Sequence, residues 1–150
     1  MDNIDRKILA ELQSDGRLSV TDLADRIGLS LSPCHRRVRA LEQSGVIRGY
    51  RAQLDPANLG FSFSALVFVT LREGDRQAVE AFETAVRDVP QIIQAQRLFG
   101  DPDYLLHVVS RDLSAFQLLY DEQLSALPSV QRLTSTLVMK NVVQDRPLPL

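Results

Sequence analysis

The sequence is poor in the residues from which most reactive sites are built. Cysteine occurs once, as Cys34, and histidine twice, as His35 and His107, in 150 residues. A lone cysteine excludes an intramolecular disulfide and a cysteine-rich metal site. The two histidines fall in different predicted domains, and no Ser-His-Asp, Cys-His or paired-carboxylate arrangement stands at a workable spacing. No catalytic residue, metal site or cofactor is expected. The longest apolar run, around Ala65–Val69, is far too short to span a bilayer. The opening Met1-Asp2-Asn3-Ile4-Asp5 is acidic and lacks the apolar core of a signal peptide. The expectation is a cytoplasmic protein with no membrane partner.

Net positive charge is lacking too, with 17 basic against 19 acidic residues. That balance is uneven along the chain. Residues 1–60 hold nine basic and eight acidic side chains, whereas 61–150 hold eight and eleven. Between 31 and 51, Arg36, Arg37, Arg39, Arg48 and Arg51 face a single acid, Glu42. Affinity for nucleic acid follows the local field at the contact, so this basic segment counts for more than the average.

Helical periodicity runs through the first third. Ile4, Ile8, Leu9 and Leu12 predict a helix over 3–14, with Gly16 as a left-handed cap. Ser19-Val20-Thr21-Asp22 has the form of a capping box, and Leu23, Ala24 and Ile27 continue a second helix until Gly28 breaks it. A third helix starts within Ser30-Leu31-Ser32-Pro33, turns Cys34, Val38 and Leu41 inward, and ends at Gly45. Three short helices with a glycine-marked turn before the third form a helix-turn-helix pattern. Val46–Ala52 alternates like a short strand, and Asp55–Gly60 reads as a hinge.

From Phe61 the pattern changes to β-α-β-β-α-β. Strands are predicted over 61–71, 92–99, 104–109 and 130–143, with helices over 75–88 and after Asp112. An offset of 38 residues matches Phe82 with Tyr120, Val86 with Leu124, Ile92 with Val130 and Val67 with Leu105. Two such β-α-β copies in one sheet make a ferredoxin-like fold with helices on one face. Both sides of the first and third strands read as apolar, so a partner is expected on the open face. The fold class is therefore α+β. The expected division is a DNA-binding domain at 1–50, a linker strand and hinge at 51–60, and a ferredoxin-like domain at 61–150.

On the third helix, His35, Arg36 and Arg39 project outward, with Arg37 at the flank. Arginine can contact guanine edges bidentately or pair with phosphates, and Ser30 and Ser32 stand where phosphate oxygens approach the helix start. A solvated basic face is the alternative, but the N-terminal part of this helix is what meets bases in the motif. Double-stranded DNA is the expected partner. Cys34 reads as a small buried hydrophobe and His107 as a core or interface residue. The turn Gly100-Asp101-Pro102-Asp103-Tyr104 has two readings. It is a plain hairpin by composition. Alternatively its N–H groups and Asp103 recognise the charged ends of an amino acid, with Thr134, Ser135 and Thr136 lining the pocket.

Several segments together resemble the Lrp/AsnC ("feast/famine") regulators across essentially the whole chain. They are Ile4–Leu9, Gly16–Ser19, Gly28–Ser30, Ser32–Val38, Gly45–Tyr50, Gly100–Leu106 and Leu127–Val130. The resemblance implies a winged-type helix-turn-helix and an amino-acid effector domain controlling genes of amino-acid metabolism or transport. It further implies dimers formed partly through a linker strand around Tyr50–Leu54, assembling to tetramers or octamers with effector pockets between dimers. The effector loop falls on Gly100, Asp101, Asp103 and Tyr104, and response-determining positions fall near Thr136, Leu137 and Val138. An architectural DNA-compacting protein, or an enzyme or carrier on the ferredoxin-like domain, is the competing reading.

Overall fold

A computed structural model describes residues 1–150. The chain forms two compact units, one of Met1–Gln53 with Val142–Leu150 and the other of Leu54–Asn141. The sequence division keeps residues 142–150 with the second domain, whereas their contacts group them with the first.

The first unit is a three-helix cluster. Helix α1 (Asn3–Ser14) begins with a capping box, in which the Asp2 carboxylate accepts from the Ile4 and Asp5 N–H groups and Asp5 accepts from Asp2 N–H. It ends at an extended Asp15, whose carboxylate accepts from Arg17 N–H. Gly16 is not left-handed, contrary to expectation, because Asp15 already closes the helix by donating to Glu11 C=O. Ser19 caps α2 (Val20–Ile27), accepting from Asp22 N–H at 3.0 Å and donating to its carboxylate at 2.5 Å. Gly28, at φ 72°, supplies the left-handed turn that aims α3 (Leu31–Gln43). Ile8, Leu23, Ala24, Cys34, Val38 and Leu41 form the core of this unit. Burial pushes the Cys34 thiol up, which keeps it neutral and inert.

One ion-pair network ties α3 to α1. The Arg37 guanidinium donates to Asp5 at 2.7 Å and to Asp2 at 2.9 Å. The Asp5 carboxylate, and then Asp2, raise the arginine further above its ordinary value. In return the Asp5 backbone N–H, with Arg37 behind it, holds the Asp2 carboxyl below its ordinary range. Beyond α3 the expected strand over Val46–Ala52 forms no ladder. Ile47 N–H donates to Leu41 C=O, but no other strand of the chain lies alongside to pair with the segment. A single 3₁₀ turn, Ala57–Leu59, marks the predicted hinge.

The second unit holds β1 (Phe63–Leu71), α4 (Arg76–Arg87), β2 (Ile92–Arg97), β3 (Tyr104–Ser110), α5 (Leu113–Leu119) and β4 (Val130–Leu137). The strands form one antiparallel sheet in the order β2-β3-β1-β4. Asp75 and Asp112 cap the two helices, and α5 runs on into a π-helical turn over Tyr120–Leu124. Val67, Val69, Leu106 and Val108 bury one sheet face against Phe82, Phe116, Leu119 and Leu124. Alternation puts Ser64, Leu66, Phe68 and Thr70 on the other face, beside Leu105, His107, Thr134 and Thr136.

Strand β4 is shorter than its apolar pattern suggests. Its last bond to β1 is Val138 N–H to Ser64 C=O, after which β1 offers no further partner. The 38-residue repeat holds in the helices, where Val86 and Leu124 are both buried, and at Ile92 and Val130, which open β2 and β4, but slips between β1 and β3. Val67 is buried and its match Leu105 faces out; Leu106 takes the equivalent place.

Phe82 is wholly buried, its ring centroid 4.6 Å from that of Tyr104. Phe82→Ala should lower the stability of the second unit by about 3–5 kcal/mol, read as a calorimetric shift of its transition. The lowered Asp2 carboxyl carries a pH signature. Its contribution to the first unit is complete above 3.8 and drains away as pH falls through its lower folded value. Asp2→Asn keeps a capping oxygen and should flatten that acid limb in urea melts followed by circular dichroism.

Candidate nucleic-acid interface and effector turn

Helix α3 presents its polar face with little intramolecular competition. Ser30 stands at the N-cap position, yet its side chain makes no capping bond, so the hydroxyl remains available. Ser32, Arg36 and Arg39, spaced four and three residues apart, share one exposed face, and His35 flanks them. Arg36 and Arg39 enter no intramolecular ion pair, whereas Arg37 turns aside to Asp2 and Asp5. Arg37 thus holds the helix in place, and its charge is met within the protein. Leu31, which the periodicity did not single out, exposes 51% of its surface at the first turn. An apolar side chain there has the chemistry to meet a thymine methyl group.

The second candidate is only partly gathered by the fold. The turn begins at Gly100, at φ 129°, and contains a cis Asp101–Pro102 bond. Asp103 is held on three sides. Its N–H donates to Val69 C=O at 2.9 Å, its C=O accepts from Leu98 N–H at 2.7 Å, and its carboxylate accepts from Leu71 N–H at 2.8 Å. Its carboxylate therefore already anchors the turn to β1. Tyr104 lies inside the core, donating its hydroxyl to Glu83 at 2.8 Å. Burial, with Glu83 beside it, pushes that phenol up to about 12.

Asp101 is the exposed acid of the turn. Thr70 Oγ1 donates to it at 3.4 Å, and the Arg132 guanidinium stands 3.8 Å away. Thr70 and Arg132 are cross-strand partners on the open face, and the next such pair is Phe68 with Thr134. Thr134 and Thr136 share that face. Ser135 points to the helix side, beside Phe116, Gln117 and Tyr120. The expected pocket set therefore divides. Asp101, Thr134 and Thr136 fall on the open side, whereas Tyr104 and Ser135 belong to the helix side. Sequence reasoning missed Thr70 and Arg132. The signal was available for Arg132, which precedes Thr134 by the two-residue step that keeps strand residues on one face. Further along the same face Ser64 Oγ and His107 Nε2 are hydrogen-bonded at 2.7 Å.

No helix is long and apolar enough to cross a membrane. Residues 1–48 match a family model described as winged helix-turn-helix DNA-binding, and residues 64–148 match the Lrp/AsnC ligand binding domain. The chain is 43% identical over 148 residues to the leucine-responsive regulatory protein of Escherichia coli K12, covering 99% of this chain and 90% of that protein. It is 41% identical over 145 residues to the proline dehydrogenase transcriptional activator of Rhodobacter capsulatus, covering 97% and 94%. Among solved structures, a Neisseria meningitidis transcriptional regulator in complex with L-Met superposes with a TM-score of 0.94. It is 36% identical and is covered to 96%, with 99% of this chain matched. With a DNA-binding unit followed by a ligand-binding unit, and regulators rather than enzymes as its relatives, the chain belongs to the Lrp/AsnC family of DNA-binding transcriptional regulators.

Proposed function

We propose that this regulator reads specific double-stranded DNA through α3 and responds to a small amino acid bound beside the Gly100–Tyr104 turn. The observation that carries the first half is the division among the arginines. Arg36 and Arg39 have no partner within the protein, while Arg37 is neutralised by Asp2 and Asp5. In this reading Arg36, Arg39 and His35 reach base edges in the major groove, and Ser30 and Ser32 meet phosphates. Its targets are genes of amino-acid metabolism or transport, and its place of work is the cytoplasm, where the DNA is.

For the effector, an amino acid needs an acceptor for its ammonium and donors for its carboxylate. Each acid has one carboxylate oxygen engaged, but Asp103 is half-buried against Leu71 N–H whereas Asp101 is exposed, so Asp101 is the better acceptor. Arg132, with the N–H groups beside Gly100, supplies donors, and Thr134 and Thr136 line the same face. The Neisseria relative, solved with L-Met, supports this ligand class. Leu66, Phe68 and Leu105 are half-buried apolar side chains on a face that carries no helix. A second copy covering them makes the homodimer, which assembles further into a tetramer or octamer.

Arg36→Ala or Arg39→Ala should each weaken operator binding by about 1–3 kcal/mol. Where the lost contact is to a phosphate, the log–log salt slope should shrink by about 0.9. Arg37→Ala should lower the melting temperature of the first unit yet leave that slope unchanged. Operator titrations across salt check all three, and near-normal affinity in the Arg36/Arg39 double variant would remove the recognition-helix assignment. A thermal-shift screen of the twenty amino acids should find one that stabilises the fold. Asp101→Ala or Arg132→Ala should weaken that ligand about tenfold or more in calorimetric titration, as loss of a charged hydrogen bond implies. Unchanged affinity in both folded variants would move the sensor elsewhere. Phe68→Glu should leave the second unit folded and reduce the sedimenting species to a monomer.

A further inference from the structure

We propose that residues Arg146–Leu150 are a detachable latch on the DNA-binding unit, seated in cis in a groove between α1 and the Val46–Arg51 segment. Leu148 and Leu150 form one wall of that groove, which keeps an open volume of about 900 Å³ beside them and is otherwise lined by Leu9, Leu12, Ile47 and Tyr50. Its floor belongs to one cooperative unit, because Leu9, Leu12 and Ile47 pack on the three-helix core.

The attachment is specific at one side chain. The Gln13 amide reads the Leu148 main chain on both sides: Oε1 accepts from Leu148 N–H at 2.7 Å, and Nε2 donates to Leu148 C=O at 3.3 Å. A carboxamide that satisfies both main-chain polar groups of one residue imitates a neighbouring strand. The sequence of the segment suits such docking. In Arg146-Pro147-Leu148-Pro149-Leu150 the prolines fix φ near −65°, so little chain freedom is lost on seating. They also leave Leu148 and Leu150 as the only N–H donors after Arg146. Leu148 and Leu150 both line the groove, and Pro149 between them does not.

The latch is built to release. Leu148 keeps 71% of its surface exposed and Leu150 45%, so little apolar area holds it and the Gln13 contact dominates. The chain passes from the ligand-binding unit to the DNA-binding unit at two places, after Gln53 in one direction and after Asn141 in the other.

The test compares the full chain with a chain ending at Asp145, using a labelled Gln144–Leu150 peptide as probe. The shortened chain should bind the peptide saturably. The full chain should bind it about tenfold more weakly or worse, because its own segment competes at high effective concentration. Gln13→Ala in the shortened chain, or Leu148→Pro in the peptide, should weaken binding about fivefold or more, as expected for lost hydrogen bonds. The peptide variant cannot unfold the protein, so its outcome stands apart from any folding defect. Failure of the shortened chain to bind, equal binding by both chains, or indifference to both substitutions would overturn the proposal. Hydrogen exchange at Leu148 N–H settles which copy is grasped. In oligomers mixed from the shortened chain and a full-length Gln13→Ala chain, docking in cis leaves that amide unprotected. Protection there would mean that the segment seats on a second copy, and the cis assignment would fall.

Discussion

Strand β1 gives its hydrogen bonds to two neighbours at once, β3 on one side and β4 on the other. Every other placement in the ligand-binding unit follows from that shared ladder. The pleated backbone of β1 sends successive side chains to opposite faces, and the two helices cover just one of them. The turn after β2 is likewise fastened to β1. Asp103 reaches past the end of the β1–β3 register to Val69 C=O and Leu71 N–H, so the turn's position is set by a strand more than 30 residues earlier. What is left exposed at that end of the sheet is Asp101 with Thr70 and Arg132, a small polar cluster of mixed charge on a rigid base.

The DNA-binding unit solves a different problem, which is how to keep a basic helix in one orientation without silencing its charge. An α-helix turns about 100° per residue, so adjacent arginines look in different directions. Arg37 therefore meets the capping carboxylates of α1 while Arg36 and Arg39 face away. The same two aspartates that start α1 brace α3. Such an exposed network contributes modestly to stability while it links α3 to the start of α1.

Much of this was legible beforehand because it rests on local periodicity. The three helices, the Gly28 turn, the inward Cys34 and the order of strands all appear as spacing in the sequence. What is not legible there shares a cause: each feature depends on a partner distant in the chain. Val46–Ala52 alternates as a strand does, yet a strand is defined by a neighbour the chain does not provide. The apolar pattern of β4 continues past Leu137, but β1 has ended there. Asp103 looked free because nothing local announces that its carboxylate is claimed by Leu71 N–H. Ser135 sits between two threonines in sequence and on the opposite side of the sheet from both. Arg37 could be grouped with its neighbours only until Asp2 and Asp5 were seen beside it.

The DNA-binding unit is not a continuous stretch of chain. Its helices are made first, but residues 142–150 emerge only after the whole sheet has been translated. During synthesis the helices can collapse around Ile8 and Leu23 long before the last piece of their unit exists. A polypeptide cut short anywhere in the ligand-binding unit would still carry a recognition helix, but with the Gln13 amide empty-handed. The order of synthesis thus separates chains in which Gln13 can meet Leu148 from chains in which it cannot.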